Sequence, residues 1–298
     1  MNYSLIDIGS NSIRLTVYEI NGTCFKPLFH SKIMAGLAGY VKKGKLTTNG
    51  IEAAESALSE FKKILQSLNV DKVSVFATAS LRNIDNTQEV VEVLHNTTGF
   101  NIEVIDENEE ALLSFYGARL ELPEISEGAF TDIGGASTEI ISFTQNEPSH
   151  IVSFRLGSLN LYKNCVKDIL PGKKSLKNIS STIEKQIKEN TGFTFTRNDH
   201  LICVGGTARA VMKIARKIYH LPENANTLTR KQLEELFTLL TGERKTASRL
   251  ILRMAPDRIH TIIPGLCILM HITHLYHSEK IIVSTYGIRE GFLCRKII

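Results

Sequence analysis

One phrase occurs twice in this chain, and the repetition limits its fold more than any other feature. "LIDIGSNSIRL" spans 5–15 and "FTDIGGASTEII" spans 130–141. Each sets Asp-Ile-Gly behind a short apolar run, then a Ser-bearing loop, then an alternating run. That is the pattern of a strand, a tight loop and a second strand. Asp7 and Asp132 lie about one domain length apart, so the chain reads as two halves that open the same way. Its 298 residues are enough for each half to bury a core of its own.

The flanking patterns agree. In the first half, "SLIDI", "IRLTVYEI" and "CFKPLFHSKIMA" read as three strands, with Asn21-Gly22 as a hairpin turn. "GIEAAESALSEFKKILQSL" repeats Ile51, Ala54, Leu58, Phe61 and Leu65 at helical spacing. "KVSVFAT" and "NIEVI" are strands, and "TQEVVEVLH" and "NEEALLSFYGARL" are helices. The second half restarts with "GAFTDI" and "TEIISF", a turn at 146–148, and "SHIVSFRL" as the third strand. Helices, the strands "HLICV" and "KIIVST", and a last helix complete it. The polar stretch Pro123 to Gly128 is the expected boundary. The expectation is an α/β fold of two duplicated domains, 1–122 and 123–298, with the last residues packing back on the first. Two such domains closing on each other leave a central interdomain cleft, where ligands commonly bind.

Composition narrows the function classes. A net charge of +4 is too small for a nucleic-acid binder but suits anionic ligands. The five cysteines form no Cys-x-x-Cys pair, which argues against a zinc site or a disulfide framework. No secretory leader is visible, and "TIIPGLCILMHITHL" is too short to span a bilayer. The expected setting is cytoplasmic, with no membrane partner.

The repeated loop can hold phosphate. Gly9, Gly134 and Gly135 permit positive φ and close backbone approach. Successive N–H groups there form an anion-binding concavity, and Ser10, Asn11, Ser12, Ser137 and Thr138 add side-chain donors. Asp7 and Asp132 end their strands at the loop mouth, where a carboxylate suits Mg²⁺. The alternative is that Asp-x-Gly only makes a good hairpin turn; the second copy weighs against it. A third loop, Gly205-Gly206-Thr207, follows a strand and opens a helix, aiming N–H groups at an anion. The alternative there is a plain strand-to-helix turn with Thr207 as N-cap.

These two hairpins and the GGT loop resemble the actin, sugar-kinase and heat-shock ATPase superfamily, whose domains are actin-like (ribonuclease H-like). "DIGSNSIRL", "FATASLRNIDN", "IEVIDENEEALLSFYG", "DIGGASTEI", "CVGGTARAVMKI" and "STYGIREGFL" are similar, in order, to the motifs of the exopolyphosphatase / guanosine pentaphosphate phosphohydrolase (Ppx/GppA) family. They run from Leu5 to about Leu293, and the chain looks like a short member. The resemblance implies a hydrolase, dependent on Mg²⁺ or Mn²⁺, of the terminal phosphoanhydride of polyphosphate or pppGpp. That implies a role in the stringent response, and family analogy extends to a homodimer.

It also implies residue roles. Glu109 matches the catalytic glutamate, which would orient water and accept its proton. Without the resemblance, Asp106-x-x-Glu109 is equally a capping box. Asp132 and Glu139 match the metal-side acids, with Asp7 helping; alternatively, Glu139 is a strand residue facing solvent. Arg82 matches an arginine facing the substrate phosphates, where a guanidinium can bind two oxygens; otherwise it is a surface arginine. Arg289 and Glu290 read as a structural corner. The basic residues of "VKKGK" and "GERKTASRLILRMAPDR" either guide a polyanion or form a solvated face. His271 and His274 read as ordinary helix histidines.

Three positions depart from the family pattern. Ala136 replaces a glycine and stiffens its loop. Glu107 adds a negative charge beside Glu109, which repels a polyanion. "MAGLAGYV" lacks a basic residue common in that segment. Glu107 and Ala136 motivate a second function, a non-catalytic sensor that binds polyphosphate or alarmone; the superfamily resemblance leaves a third, an ATP-dependent kinase, for which no motif assigns an aspartate base.

Overall fold

The structure is a computed structural model, and it describes residues 1–190 and 192–298. The chain divides into two compact units, Met1–Glu110 with Phe292–Ile298, and Ala111–Gly291.

The first unit opens with β1 (Asn2–Ile8), β2 (Ile13–Asn21) and β3 (Cys24–Ile33). A 3-10 turn over Leu37–Tyr40 and the hairpin β4 (Val41–Lys42) and β5 (Lys45–Leu46) follow. Then come α1 (Thr48–Ser67), β6 (Val73–Ala77), α2 (Ala79–Arg82), α3 (Thr87–Thr98), β7 (Ile102–Val104) and the start of α4 (Glu107–Arg119). The sheet order is β3-β2-β1-β6-β7, antiparallel over the first three strands and parallel from β1 onward. Ile6, Ile8, Ile13, Leu15, Val75 and Ala77 meet α1 and α3 on one face. The apolar spacing read in the sequence makes this interface: Ala54, Leu58, Phe61 and Leu65 of α1 are all buried there.

The second unit repeats the opening with β8 (Gly128–Ile133), β9 (Thr138–Thr144) and β10 (Glu147–Phe154). It continues with α5 (Ser158–Cys165), α6 (Lys173–Glu189), β11 (His200–Val204), α7 (Gly205–Ile218), β12 (Thr227–Thr229), α8 (Arg230–Thr241) and α9 (Arg244–Met254). A 3-10 turn over Pro256–Arg258, α10 (Ile262–Tyr276), β13 (Lys280–Val283), α11 (Ile288–Phe292) and a π-helical turn over Leu293–Ile297 end the chain. The sheet order is β10-β9-β8-β11-β13-β12. One face packs on α6, α7, α8 and α10, and the other on α4. This is the duplicated actin-like α/β class expected. Among the described residues no helix is long and apolar enough to cross a membrane.

The two hairpins make the same bend with different turns. Asn21 pairs with Cys24 around Gly22-Thr23, where Gly22 takes φ 63°. Thr144 pairs with Glu147 around Gln145-Asn146, both at positive φ. The second turn therefore lies before Pro148 rather than at 146–148, since Glu147 already belongs to β10. Each third strand carries a proline beside a register shift, at Pro27 and Pro148. Both are edge strands, where a missing ladder N–H is tolerated.

The division between units falls at Glu110–Ala111, inside α4 rather than in the expected loop Pro123–Gly128. Core packing explains the difference. Ala111, Phe115, Ala118 and Leu122 are buried against Phe130, Ile141 and Phe143, so most of α4 belongs with the second sheet.

Candidate active site

In the first unit the parallel strands end in register: Ile8 lies beside Ala77, and Ala77 beside Val104. The chain leaves these ends into the 9–12 loop, α2 and α4. The repeated loop, Arg82 and Glu109 therefore share the carboxyl edge of one sheet, where open α/β folds bind ligands. The Ser80 hydroxyl fastens α2 to this edge by donating to the Ile8 carbonyl.

The two repeated loops are built alike. Gly9 N–H donates to the Ser12 carbonyl at 3.1 Å, and Gly134 N–H to the Ser137 carbonyl at 3.0 Å. A Cβ on either glycine would sit 3.0 Å from that same carbonyl. Neither glycine, nor Gly135, adopts positive φ. The positive φ these glycines permit is not used; Gly9 and Gly134 instead allow the close approach of that carbonyl. The loop carbonyls turn inward. Ser10 and Asn11 accept from Ala38 and Gly36, both at 3.0 Å. Gly134 accepts from Ser158 at 3.0 Å, and Gly135 from Leu159 and Asn160 at 2.9 and 3.1 Å. Among the described residues, the amides of Ser10, Asn11, Gly135 and Ala136 donate to no backbone carbonyl. They are the donors an anion would use. Ala136 is outside the left-handed region too, so its methyl adds no backbone strain.

The side chains of these loops are less available than expected. Ser10, Ser12, Ser137 and Thr138 are all buried. Ser12 Oγ accepts from Arg14 Nε at 3.2 Å, and the Thr138 hydroxyl donates to the Leu156 carbonyl. Asp7 faces Arg14 across the β1–β2 ladder.

Arg82 is no surface arginine: its side chain is 12% exposed. Nη1 donates to the Ile105 carbonyl at 3.0 Å and to Glu110 Oε2 at 2.6 Å. Among the described residues, Nε and Nη2 are buried without a hydrogen-bond partner, and the Glu107 carboxylate, 3.9 Å from Nε, is too far to supply one. Leaving buried donors unmade is costly, and two nitrogens of one guanidinium match an oxyanion.

Glu109 sits in the first turn of α4, where its N–H donates to Asp106 Oδ1 at 2.8 Å. The cap expected at Asp106 is thus present, and it leaves the Glu109 carboxylate for other work. Lys296 Nζ meets Glu109 Oε1 at 2.6 Å and also bonds Glu103. Burial alone would make this ammonium lose its proton more easily. Its hydrogen bonds to Glu103 and Glu109 outweigh that and hold it above the usual lysine range.

The second unit carries a carboxylate pair of its own. Asp132 and Glu139 are directly opposite in the β8–β9 ladder, which puts both side chains on one face of the sheet. Ser114 Oγ donates to Asp132 Oδ2 at 2.9 Å, and Ser153 Oγ to Glu139 Oε1 at 3.1 Å. Glu139 is 1% exposed, which overturns the solvent-facing alternative. Asp132 also faces the GGT turn: a Cβ on Gly205 would lie 2.7 Å from its Oδ1, and Gly205 takes φ 89°. Burial and the nearby Asp132 charge push the Cys203 thiol well up. Two neighbouring carboxylates in a buried strand pair fit a hard divalent cation. Among the described residues no group of three His, Cys, Asp or Glu side chains could hold a metal ion. A cation there would need oxygens from substrate or water, which is how Mg²⁺ is usually bound.

At the GGT loop, Gly205 and Gly206 open α7 after Val204. Thr207 is not the N-cap; it lies inside the first turn, 1% exposed, packed against Gly265 of α10. The guanidinium of Arg258 takes the place beside Gly206, 2.1 Å from where a Cβ would be. Neither Arg258 nor Lys296 was singled out from sequence. Arg258 was one basic residue among many, and Lys296 is 193 positions from Glu103. Glu290 accepts from Gly287 N–H at 2.9 Å, a corner contact. His271 and His274 turn to different neighbours, Ser180 and Glu234.

The sequence model of the Ppx/GppA phosphatase family matches residues 16–297. A Mycobacterium tuberculosis protein named Exopolyphosphatase 1 is 24% identical over 306 residues, covering 100% of this chain and 88% of the relative. The crystal structure of an exopolyphosphatase from Cytophaga hutchinsonii superposes with TM-score 0.85 at 24% identity, covering 98% of this chain and 96% of the other. An Aquifex aeolicus PPX-GPPA enzyme gives TM-score 0.79 at 25% identity, over 99% of each chain.

Proposed function

The chain belongs to the Ppx/GppA phosphatase family, and on that premise we propose that it hydrolyses the terminal phosphoanhydride of inorganic polyphosphate, of pppGpp, or of both. The relatives named exopolyphosphatase support the first substrate. The observation that carries the reading is Arg82, a buried guanidinium with two unused nitrogens on the sheet edge that also bears Glu109.

In this mechanism Arg82 and the amides of Ser10 and Asn11 hold oxygens of the terminal phosphoryl group. Glu109 orients a water molecule and accepts its proton as the water oxygen bonds to phosphorus. The bridging P–O bond breaks, and the shortened phosphate chain leaves with the electron pair. Asp132 and Glu139 would hold Mg²⁺ or Mn²⁺, which when bound offsets the charge of phosphate oxygens. Asp7, Gly134, Gly135, Ser137, Gly205 and Gly206 complete the proposed set. A cytoplasmic setting belongs to the same reading, with all five cysteines outside disulfides.

Phosphate release from polyphosphate and from pppGpp, measured for the wild type and Glu109→Gln, tests the proposal. We expect release by the wild type and a loss of at least about a hundredfold in the variant. Equal rates would remove Glu109 from the mechanism. One observation favours a second reading, a binding sensor. Glu107 stands 3.9 Å from Arg82 Nε, where its charge competes with phosphate. Tight polyphosphate binding without turnover would select it.

A further inference from the structure

Five carboxylates crowd the eight positions 103–110: Glu103, Asp106, Glu107, Glu109 and Glu110. A polyanion is repelled by such a patch unless cations face it. Arg82 and Lys296, both within the first unit, face it. Arg82 bonds Glu110 and stands near Glu107; Lys296 bonds Glu103 and Glu109.

Lys296 reaches this place from the opposite end of the chain, and its carrier is firmly seated. Phe292 is 2% exposed and stacks on Phe76 of β6, with ring centroids 4.9 Å apart at 16°. Leu293 is fully buried, and Ile298 N–H closes the following π-helical turn on the Leu293 carbonyl at 3.0 Å. Lys296 Nζ lies 5.0 Å over the Phe292 ring centroid, within the range of a cation–π contact. The ammonium is thus held by a ring and two carboxylates, and it holds Glu109 Oε1 at 2.6 Å. A glutamate whose one oxygen is fastened this way has its other oxygen aimed in a fixed direction. A group that must orient water needs that.

We propose that Lys296 is a positioning residue for the hydrolysis: it fixes the Glu109 carboxylate and offsets the acidic patch that the substrate must approach. This rests on the assignment of Glu109 under the proposed function. The effect is exerted through Glu109, so it must disappear when Glu109 can no longer act.

The experiment is a double-mutant cycle on the full chain, with kcat and KM measured on medium-chain polyphosphate with Mg²⁺. The proteins are the wild type, Lys296→Met, Lys296→Arg, Glu109→Gln and the Lys296→Met/Glu109→Gln double variant. Methionine keeps the stem over Phe292 and removes the charge. We expect Lys296→Met to lower kcat by about ten- to a hundredfold, the scale of a misplaced catalytic group. Its KM should also rise most at low salt, where charge repulsion is least screened. Lys296→Arg should recover most of the rate. In the Glu109→Gln background, Lys296→Met should cost no further kcat.

A wild-type kcat for Lys296→Met beside an impaired Glu109→Gln would overturn the inference and leave the proposed function standing. So would an equal further loss in both backgrounds, which marks a folding role. If Lys296→Met does not fold, Glu103→Gln replaces it in the cycle, loosening Lys296 from one side with the same expected pattern. A wild-type rate for Glu109→Gln would overturn the proposed role of Glu109, and this inference with it.

Discussion

Gly117→Ala tests how α4 is held. A Cβ at Gly117 would lie 1.9 Å from the Gly287 carbonyl oxygen and 2.9 Å from the Gly291 nitrogen. From the other side, a Cβ at Gly291 would lie 1.8 Å from the Leu113 oxygen. These are backbone atoms, so no rotamer change relieves the clash. α4 and α11 would have to part by about 1.5 Å to restore an ordinary carbon contact. That separation would also disturb the buried packing of Phe115, Ala118 and Leu122. Overpacking of this kind costs about 1–3 kcal/mol, and alanine in a helix interior returns about 1 kcal/mol. The net loss expected, taking the upper end because the obstacle is backbone, is about 2 kcal/mol. At about 2–4 °C per kcal/mol for a unit of this size, Tm should fall by about 4–8 °C in calorimetry. Gly192, where a Cβ would meet none of the described residues beyond its chain neighbours within 4 Å, is the control, and Gly192→Ala should leave Tm unchanged. A Gly117→Ala protein melting at or above the wild type would refute the backbone-to-backbone contact.

Arg82→Lys keeps the charge but loses the guanidinium plane, so KM for polyphosphate should rise about ten- to a hundredfold, the worth of one charge-assisted hydrogen bond; steady-state kinetics checks this. Glu139→Gln removes a buried charge beside Asp132. The Mg²⁺ concentration giving half-maximal activity should rise about tenfold, while metal-free Tm holds or increases. Glu121 accepts from Ser284, Thr285 and Tyr286. Burial works to raise its carboxyl pKa, but these hydrogen bonds prevail and set it below the ordinary 4.5. Its contribution is therefore present above about pH 4.5 and is lost as pH falls through the lowered value. Glu121→Gln should lower Tm at neutral pH and narrow its gap to the wild type in acid, read by thermal melts from pH 7 to pH 3.

Much of the fold was legible because its signals are local. The Asp-Ile-Gly repeats, the Gly22 turn and the spacing of Ala54, Leu58, Phe61 and Leu65 are patterns within one element or one turn. Six ordered motifs gave the resemblance to a family that the match over 16–297 bears out. Local signals were weaker guides to what glycines do. Gly9 and Gly134 were free to take positive φ, and they are instead extended or right-handed positions crowded by a neighbouring carbonyl. Thr207 looked like an N-cap and is buried against Gly265.

The sequence by itself determined the order of strands and helices, the duplication and the placing of an acid before each loop. Periodicity and turn chemistry act over a few residues, and a string displays them directly. Only the tertiary structure decided which unit owns α4, that Arg258 lies beside Gly206, and that Lys296 closes on Glu109. Those contacts join residues far apart along the chain. They follow from sheet register and from where a buried aromatic seats the last turn, and no local pattern encodes either.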